Sequence, residues 1–239
     1  MTPKDVVLSL KNVNAWYGES HVLHGISFDV RKGECISLLG RNGAGRTTTL
    51  RTIMGLLDKR QGEMVVMGQD TLRWPSHRIA RLGVGYCPEE RGIFASLSCE
   101  ENLMLPPALD SGHGMAMSVQ EIYELFPNLK ERRHSQGTKL SGGEQQMLAL
   151  GRILRTGSTL LLLDEISEGL APVIVETMGR AILKLKARGY TIVLVEQNFR
   201  FAAPLSDRLL VVEHGQIAEA FEAGQLKSKM ARLQELLGV

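Results

Sequence analysis

Between Cys35 and Met54 an apolar run, a glycine-spaced loop and a helix start follow one another without a break, and no other stretch constrains the fold so tightly. Ile36-Ser37-Leu38-Leu39 is short and apolar, as a strand covered on both faces should be. The loop Gly40-Arg41-Asn42-Gly43-Ala44-Gly45-Arg46-Thr47 comes next. From Thr47 to Met54 apolar residues recur at helical spacing, with Gly55 as the stop. Glycines lack a Cβ, so the backbone can wrap closely around a chain of phosphates. Its N–H groups and the helix dipole then face the anion. The Thr47 hydroxyl suits a magnesium ion, and Thr48 lies beside it. Lysine is the residue that such a loop ordinarily carries before its threonine, and here Arg46 stands there. A guanidinium stays charged and binds phosphate through two nitrogens, but it is wider than an ammonium and planar. Phosphate binding should survive this change. Transition-state alignment is more fragile, so slower turnover than with lysine is expected.

A second apolar run, Thr159 to Leu163, ends in the acids Asp164 and Glu165. The C-terminal edge of a parallel sheet is where such folds bind ligands. Asp164 there suits magnesium held mostly through water, and Glu165 suits orienting or deprotonating an attacking water. Further strand text lies at Val6 to Leu10, Val22 to Val30, Thr191 to Val195 and Arg208 to Val212, with helical periodicity from Val173 to Arg188. Strand and helix alternating in this way predicts an α/β protein on a parallel or mixed sheet. Residues 100–156 lack strand signals. Ser118 to Phe126, closed by Pro127, and Ser141 to Arg155 read as helices, and Glu222 to Leu237 reads as a last one. The expected organisation is one domain over 1–239: an α/β core from about 1–88 and 157–239, and an inserted helical subdomain from about 89–156.

A chain of 239 residues with 44% hydrophobic residues can bury one sizeable core. Lys and Arg number 28 against 26 Asp and Glu, and a net charge of +2 argues for neither nucleic acid nor an acidic membrane surface as partner. Lys130-Glu131-Arg132-Arg133 reads as a solvated helix face. No apolar run reaches the ~18 residues of a membrane span, and Met1 to Asp5 do not open an apolar secretory segment. Cys35, Cys87 and Cys99 lack CxxC spacing and read as reduced core thiols. The histidines, His21, His24, His77, His113, His134 and His214, are too scattered for a metal site.

Leu140-Ser141-Gly142-Gly143-Glu144-Gln145 remains. Ser141 and Glu144 have capping-box spacing. Two glycines in a first helical turn weaken it unless something must approach the backbone closely. With this motif the chain resembles the nucleotide-binding subunits of ABC transporters over nearly its whole length. Within that family it is most similar to the smaller ATP-binding subunits of branched-chain amino acid importers. The text that carries this is Gly40 to Gly45, Pro88-Glu89, Asn102-Leu103, Gly169-Leu170-Ala171-Pro172 and Val195-Glu196-Gln197-Asn198.

The resemblance implies a P-loop NTPase fold, ATP and Mg2+ as cofactors, and ATP hydrolysis coupled to transport. Two subunits would sandwich ATP, with Ser141, Gly142 and Gly143 of one completing the phosphate site of the other. Tyr17 falls where the family stacks a ring on adenine. Glu89 stands in place of a metal-contacting glutamine. Gln197 replaces a histidine and should position the terminal phosphate without titrating. Ile166 follows Glu165 where proline is usual, and Ser167 to Leu170 would meet the opposing subunit. Implied partners are a second ATPase subunit, identical or not, two integral-membrane permeases reached through Glu89 to Phe94, and a solute-binding protein indirectly, with no nucleic acid. The implied location is the cytoplasmic face of the inner membrane, as a peripheral subunit. A low-turnover regulatory subunit, motivated by Arg46 and Ile166, and a soluble ABC ATPase are the alternatives.

Overall fold

Strands buried on both faces hold the molecule together. The computed structural model describes residues 5–107 and 115–238, so His113 and Met1 to Lys4 lie outside the described residues. Three of its strands, β3 (Cys35–Leu39), β7 (Leu160–Asp164) and β8 (Thr191–Glu196), are buried at every position. Their side chains alternate between two cores. Leu161, Leu163, Ile192 and Leu194 join one apolar cluster, and Leu160, Leu162, Val193 and Val195 join the other.

With β6 (Val84–Cys87), β9 (Arg208–Glu213) and β10 (Gln216–Glu222), these strands form a six-stranded sheet in the order β10-β9-β3-β8-β7-β6. Every pairing is parallel except that of the edge strand β10 with β9. A separate antiparallel sheet, β2-β1-β4-β5, comes from β1 (Val6–Tyr17), β2 (Ser20–Arg31), β4 (Lys59–Val66) and the short β5 (Gln69–Asp70). Between the sheets lies α1 (Arg46–Ile53), whose Leu50 and Ile53 share a cluster with β1, β2 and β4. After α2 (Ser76–Ala80), the described residues between β6 and β7 are helical or irregular apart from one isolated bridge, Ser98 to Gln136: α3 (Cys99–Met104), α4 (Val119–Leu125), α5 (Pro127–Glu131) and α6 (Gly142–Thr156). Then α7 (Pro172–Ala187) and α8 (Phe199–Ala202) connect the remaining parallel strands, and α9 (Leu226–Leu237) closes the chain.

Three expectations need correcting. Glu222 ends a strand, and the last helix starts only at Leu226, because β10 pairs along β9 to the Glu222–Arg208 register before a 3-10 turn. Pro127 does not only close a helix: α4 stops at Leu125, and Pro127 sits in the first turn of α5, where its missing N–H costs nothing. Strands β4, β5, β6 and β10 were not anticipated. The three cysteines are free and buried, and burial pushes each thiol up to about 12.

Candidate functional site

The ends of β3 and β7 bring the loop and the two acids together. Gly45 caps α1 in the left-handed region at φ 107°, and Gly43 has φ 80°. At Gly40 a Cβ would sit 2.4 Å from the Val212 carbonyl, so only glycine lets the loop leave the sheet there. The Gly215 N–H donates to the Ala44 carbonyl at 2.8 Å, and the Gly215 carbonyl accepts from the His24 N–H at 3.0 Å. This turn between β9 and β10 braces the loop from behind. It was missed in the sequence, where His214-Gly215 is only a turn signal. Arg41, Asn42 and Gly43 are exposed, Thr47 is half-buried, and Ala44, Gly45, Arg46 and Thr48 are buried. The Arg41 guanidinium packs against Gly238 at the end of α9.

Beside the loop, the Thr47 hydroxyl donates to Asp164 Oδ1 at 3.0 Å. Tyr86, at the end of β6, donates to Asp164 Oδ2 at 3.0 Å and was not foreseen. Burial raises the Asp164 pKa while these two donors lower it, and the Glu89 charge raises it again. Glu89 itself is exposed. Arg51, beside the Tyr86 hydroxyl and that of Tyr17, is raised by both.

Arg46 does not reach out along the loop. Its Nη2 lies 2.7 Å from Glu165 Oε1, with side-chain exposures of 4% and 8%, and donates to Asn42 Oδ1 at 3.1 Å. Its Nη1 is buried with no partner. Burial and the Glu168 carboxyl push the Glu165 pKa up, and Arg46 opposes them. Glu165 adopts φ 49°, a left-handed conformation that bends the chain sharply off β7. Ile166 is fully buried behind it in the core. Ser167 turns inward as well: its N–H and hydroxyl donate to Glu196 at 3.1 and 2.7 Å. Burial raises Glu196 to about 7, against the pull of these donors.

Other expected residues stand apart. Tyr17 ends β1 with 42% of its surface exposed, whereas neighbouring Trp16 is stacked on His21 with centroids 4.2 Å apart. Gln197 is exposed just beyond β8, and its side chain makes no hydrogen bond among the described residues. Ser141 caps α6, accepting from the Glu144 N–H at 3.3 Å while its own N–H donates to Glu144 at 2.7 Å. A Cβ on Gly143 would meet Ile174 of α7 at 2.8 Å, and one on Gly142 would meet Arg91 at 3.2 Å. Both glycines therefore already answer to close approaches within the chain. Arg91 also donates to Gln145 at 3.0 Å, tying the segment after β6 to α6. In that segment Phe94 is 47% exposed under the Arg152 guanidinium, and Ile93 packs against the core.

These residues fit a nucleotide phosphate chain and a divalent cation. The loop is a glycine cradle with a buried, partly unpartnered guanidinium beside it. Thr47 and Asp164 offer hard oxygen donors. Magnesium takes most of its ligands from water and phosphate, so these two protein oxygens are enough to place it.

The fold and this site define an α/β protein built to hold nucleotide phosphates at the mouth of a parallel sheet. Residues 23–168 match the ABC transporter family model. A high-affinity branched-chain amino acid transport ATP-binding protein, BraG of Pseudomonas aeruginosa, is 41% identical over 88% of the chain and 91% of its own length. The lipopolysaccharide export system ATP-binding protein LptB of Escherichia coli is 32% identical over 88% of each. A nucleotide-free ATP-binding cassette from an ABC transporter superposes with a TM-score of 0.83, covering 98% of this chain and 99% of that one at 22% identity. The chain belongs to the ABC transporter family.

Proposed function

We propose that the chain is the ATP-binding and ATP-hydrolysing subunit of an ABC importer for branched-chain amino acids or related small solutes. The observation that carries the ATPase reading is the meeting of Thr47 with Asp164 and of Arg46 with Glu165 at one strand end. The cargo follows the 41% identity to BraG, above the 32% to LptB.

Bound magnesium and ATP would supply the scissile terminal phosphate and a charge that stabilises it as it leaves. The N–H groups of Gly43 to Thr48 would hold the phosphates, and Tyr17 would lie against the adenine. Thr47 and Asp164 would hold the cation, with Glu89 near it, and Glu165 would orient the attacking water. Gln197 would position by hydrogen bonding, since its amide does not titrate. Ser141 to Gly143 would serve the phosphate site of a second subunit, so ATP binding would favour a closed pair. Exposed Phe94, at the junction of sheet and helical insertion (residues 89–156), would face one of two membrane permeases, and a solute-binding protein would deliver cargo to them. The subunit would then sit at the cytoplasmic face of the inner membrane. No described helix is long and apolar enough to cross a membrane, which suits a peripheral subunit.

The buried Arg46–Glu165 pair also favours a second reading, a subunit that binds ATP but turns it over little. Phosphate release by the purified chain with magnesium and ATP, for wild type and Glu165→Gln, separates the two. Turnover in wild type that the substitution abolishes supports the ATPase. ATP-trapped dimers without turnover in wild type support the second reading, and no ATP binding by either protein sinks both.

A further inference from the structure

We propose that Arg46 is a latch on the phosphate loop: in the nucleotide-free chain its guanidinium holds Glu165, and phosphate binding requires that this pair be broken. The inference rests on the nucleotide-binding reading above and adds an internal competitor to it. Three observations support it.

Arg46 and Glu165 are both nearly inaccessible, and their contact is 2.7 Å. Buried ion pairs of this kind resist the loss of one partner strongly, because the other charge is left uncompensated. Asn42, from the exposed front of the loop, adds a second acceptor to the same Nη2 at 3.1 Å, so that one nitrogen is held between the loop and the strand end. Finally, Nη1 is one of three buried side-chain atoms without a partner among the described residues. It is covered, so an anion entering the loop cannot reach it while the pair stands. Buried donors ordinarily find partners. An unpaired one marks a side chain held in this pose by Glu165 and Asn42 at the expense of its other arm. Swinging out would give both arms phosphate oxygens in the bidentate manner of a guanidinium.

One cation thus serves two anions in turn. While it serves Glu165, the loop lacks its principal charge and the carboxylate proposed to orient water is engaged. Once it serves phosphate, Glu165 is released. Binding and release of the water-orienting group become a single event. A latch that is closed nine parts in ten lowers apparent nucleotide affinity about ten-fold.

ADP tests this directly, since it lacks the terminal phosphate proposed to bridge two subunits. Isothermal titration of ADP with magnesium would compare wild type, Glu165→Gln, Glu165→Asp and Glu196→Gln. Glu165→Asp keeps the charge but shortens the reach to Arg46. Glu196→Gln changes a neighbouring buried carboxyl that makes no hydrogen bond or ion pair with Arg46 or Glu165 among the described residues. The expected result is about ten-fold tighter ADP binding for Glu165→Gln and a several-fold gain for Glu165→Asp, with Glu196→Gln within about two-fold of wild type. Melting without ligand gives a second measure: Glu165→Gln should melt below wild type and gain more from ADP. The latch is overturned if both Glu165 variants bind ADP within about two-fold of wild type, or if Glu196→Gln gains as much as Glu165→Gln. Failure of all four proteins to bind ADP would overturn the nucleotide reading and the latch together.

Discussion

The strand end at Asp164–Glu165 and the helix start at Ser141–Gly143 are built on opposite terms. At the first, every expected group has found another: Thr47 and Tyr86 hold Asp164, and Arg46 holds Glu165. At the second, the cap satisfies itself within four residues, and no hydrogen bond or ion pair links it to the loop among the described residues. The first is a buried network, in which every member constrains the others and removal of one leaves a charge or a donor stranded. The second is an exposed serine on a finished helix end, free to meet another surface at little cost. Under the proposed function, the locked strand end would be one half of a phosphate site, and the presented helix start would serve the site of a second subunit.

The sharpest way to break this contrast is to remove the proposed base. Glu165→Gln should lower phosphate release at least 10²-fold, as expected for a lost general base. Unchanged turnover would move the chemistry elsewhere. Next in size is Tyr86→Phe, which strips one donor from a buried carboxylate. Hydrogen bonds to charged groups contribute about 1.5–3 kcal/mol, so urea denaturation without nucleotide should show a loss near 2 kcal/mol. A loss near zero would mean that the strand-end network is looser than its distances imply. Smaller again is Gly143→Ala, whose new methyl would press on Ile174. Ile174 is only half-buried and can yield, so about 1 kcal/mol is expected. The double variant with Ile174→Ala should recover that stability. If the helix start also serves a second subunit, it should not recover ATP-trapped dimers of Glu165→Gln as followed by gel filtration. Full recovery of dimers would reduce Gly143 to a packing residue.

The same contrast explains what the sequence made legible. Ile36 to Leu39, Leu160 to Leu163 and Thr191 to Val195 are buried on both faces, so their apolar runs announce strands without help from context. The loop that follows the first of them carries its own glycine spacing. By contrast β4 begins Lys59-Arg60-Gln61-Gly62-Glu63, exposed or half-buried at each position, and only its pairing with β1 makes it a strand. Strand β10 has one buried residue, Phe221, and its register with β9 is a long-range fact. At the site, residue types announced the loop and the acids, but not who would hold whom. Tyr86 lies 78 positions from Asp164, and Gly215 lies well over a hundred from the loop that it braces. The Arg46–Glu165 pair was out of reach for the same reason. The substitution was visible, but its partner depended on the left-handed turn at Glu165.

The least disruptive test concerns Glu196, which links β8 to the segment after Glu165 through Ser167. Its carboxyl, ordinarily near 4.5, is raised by burial to about 7. Between these values the folded chain holds this proton more tightly than the unfolded chain does. Stability from this group is therefore complete below about pH 4.5 and is lost as pH rises through about 7, with at most about 1.4 kcal/mol per pH unit from one proton. Glu196→Gln removes the titration but keeps an oxygen for the Ser167 N–H and an amide that the Ser167 hydroxyl can accept from. Its melting temperature should vary less with pH than that of wild type across this window, and the two curves should run parallel above about pH 8. The buried carboxyl of Asp164 is raised too, so a residual slope of the same sign should persist in the variant. Equal slopes in the two proteins would show that Glu196 is ionised in both states, and that Ser167 is held by a full charge.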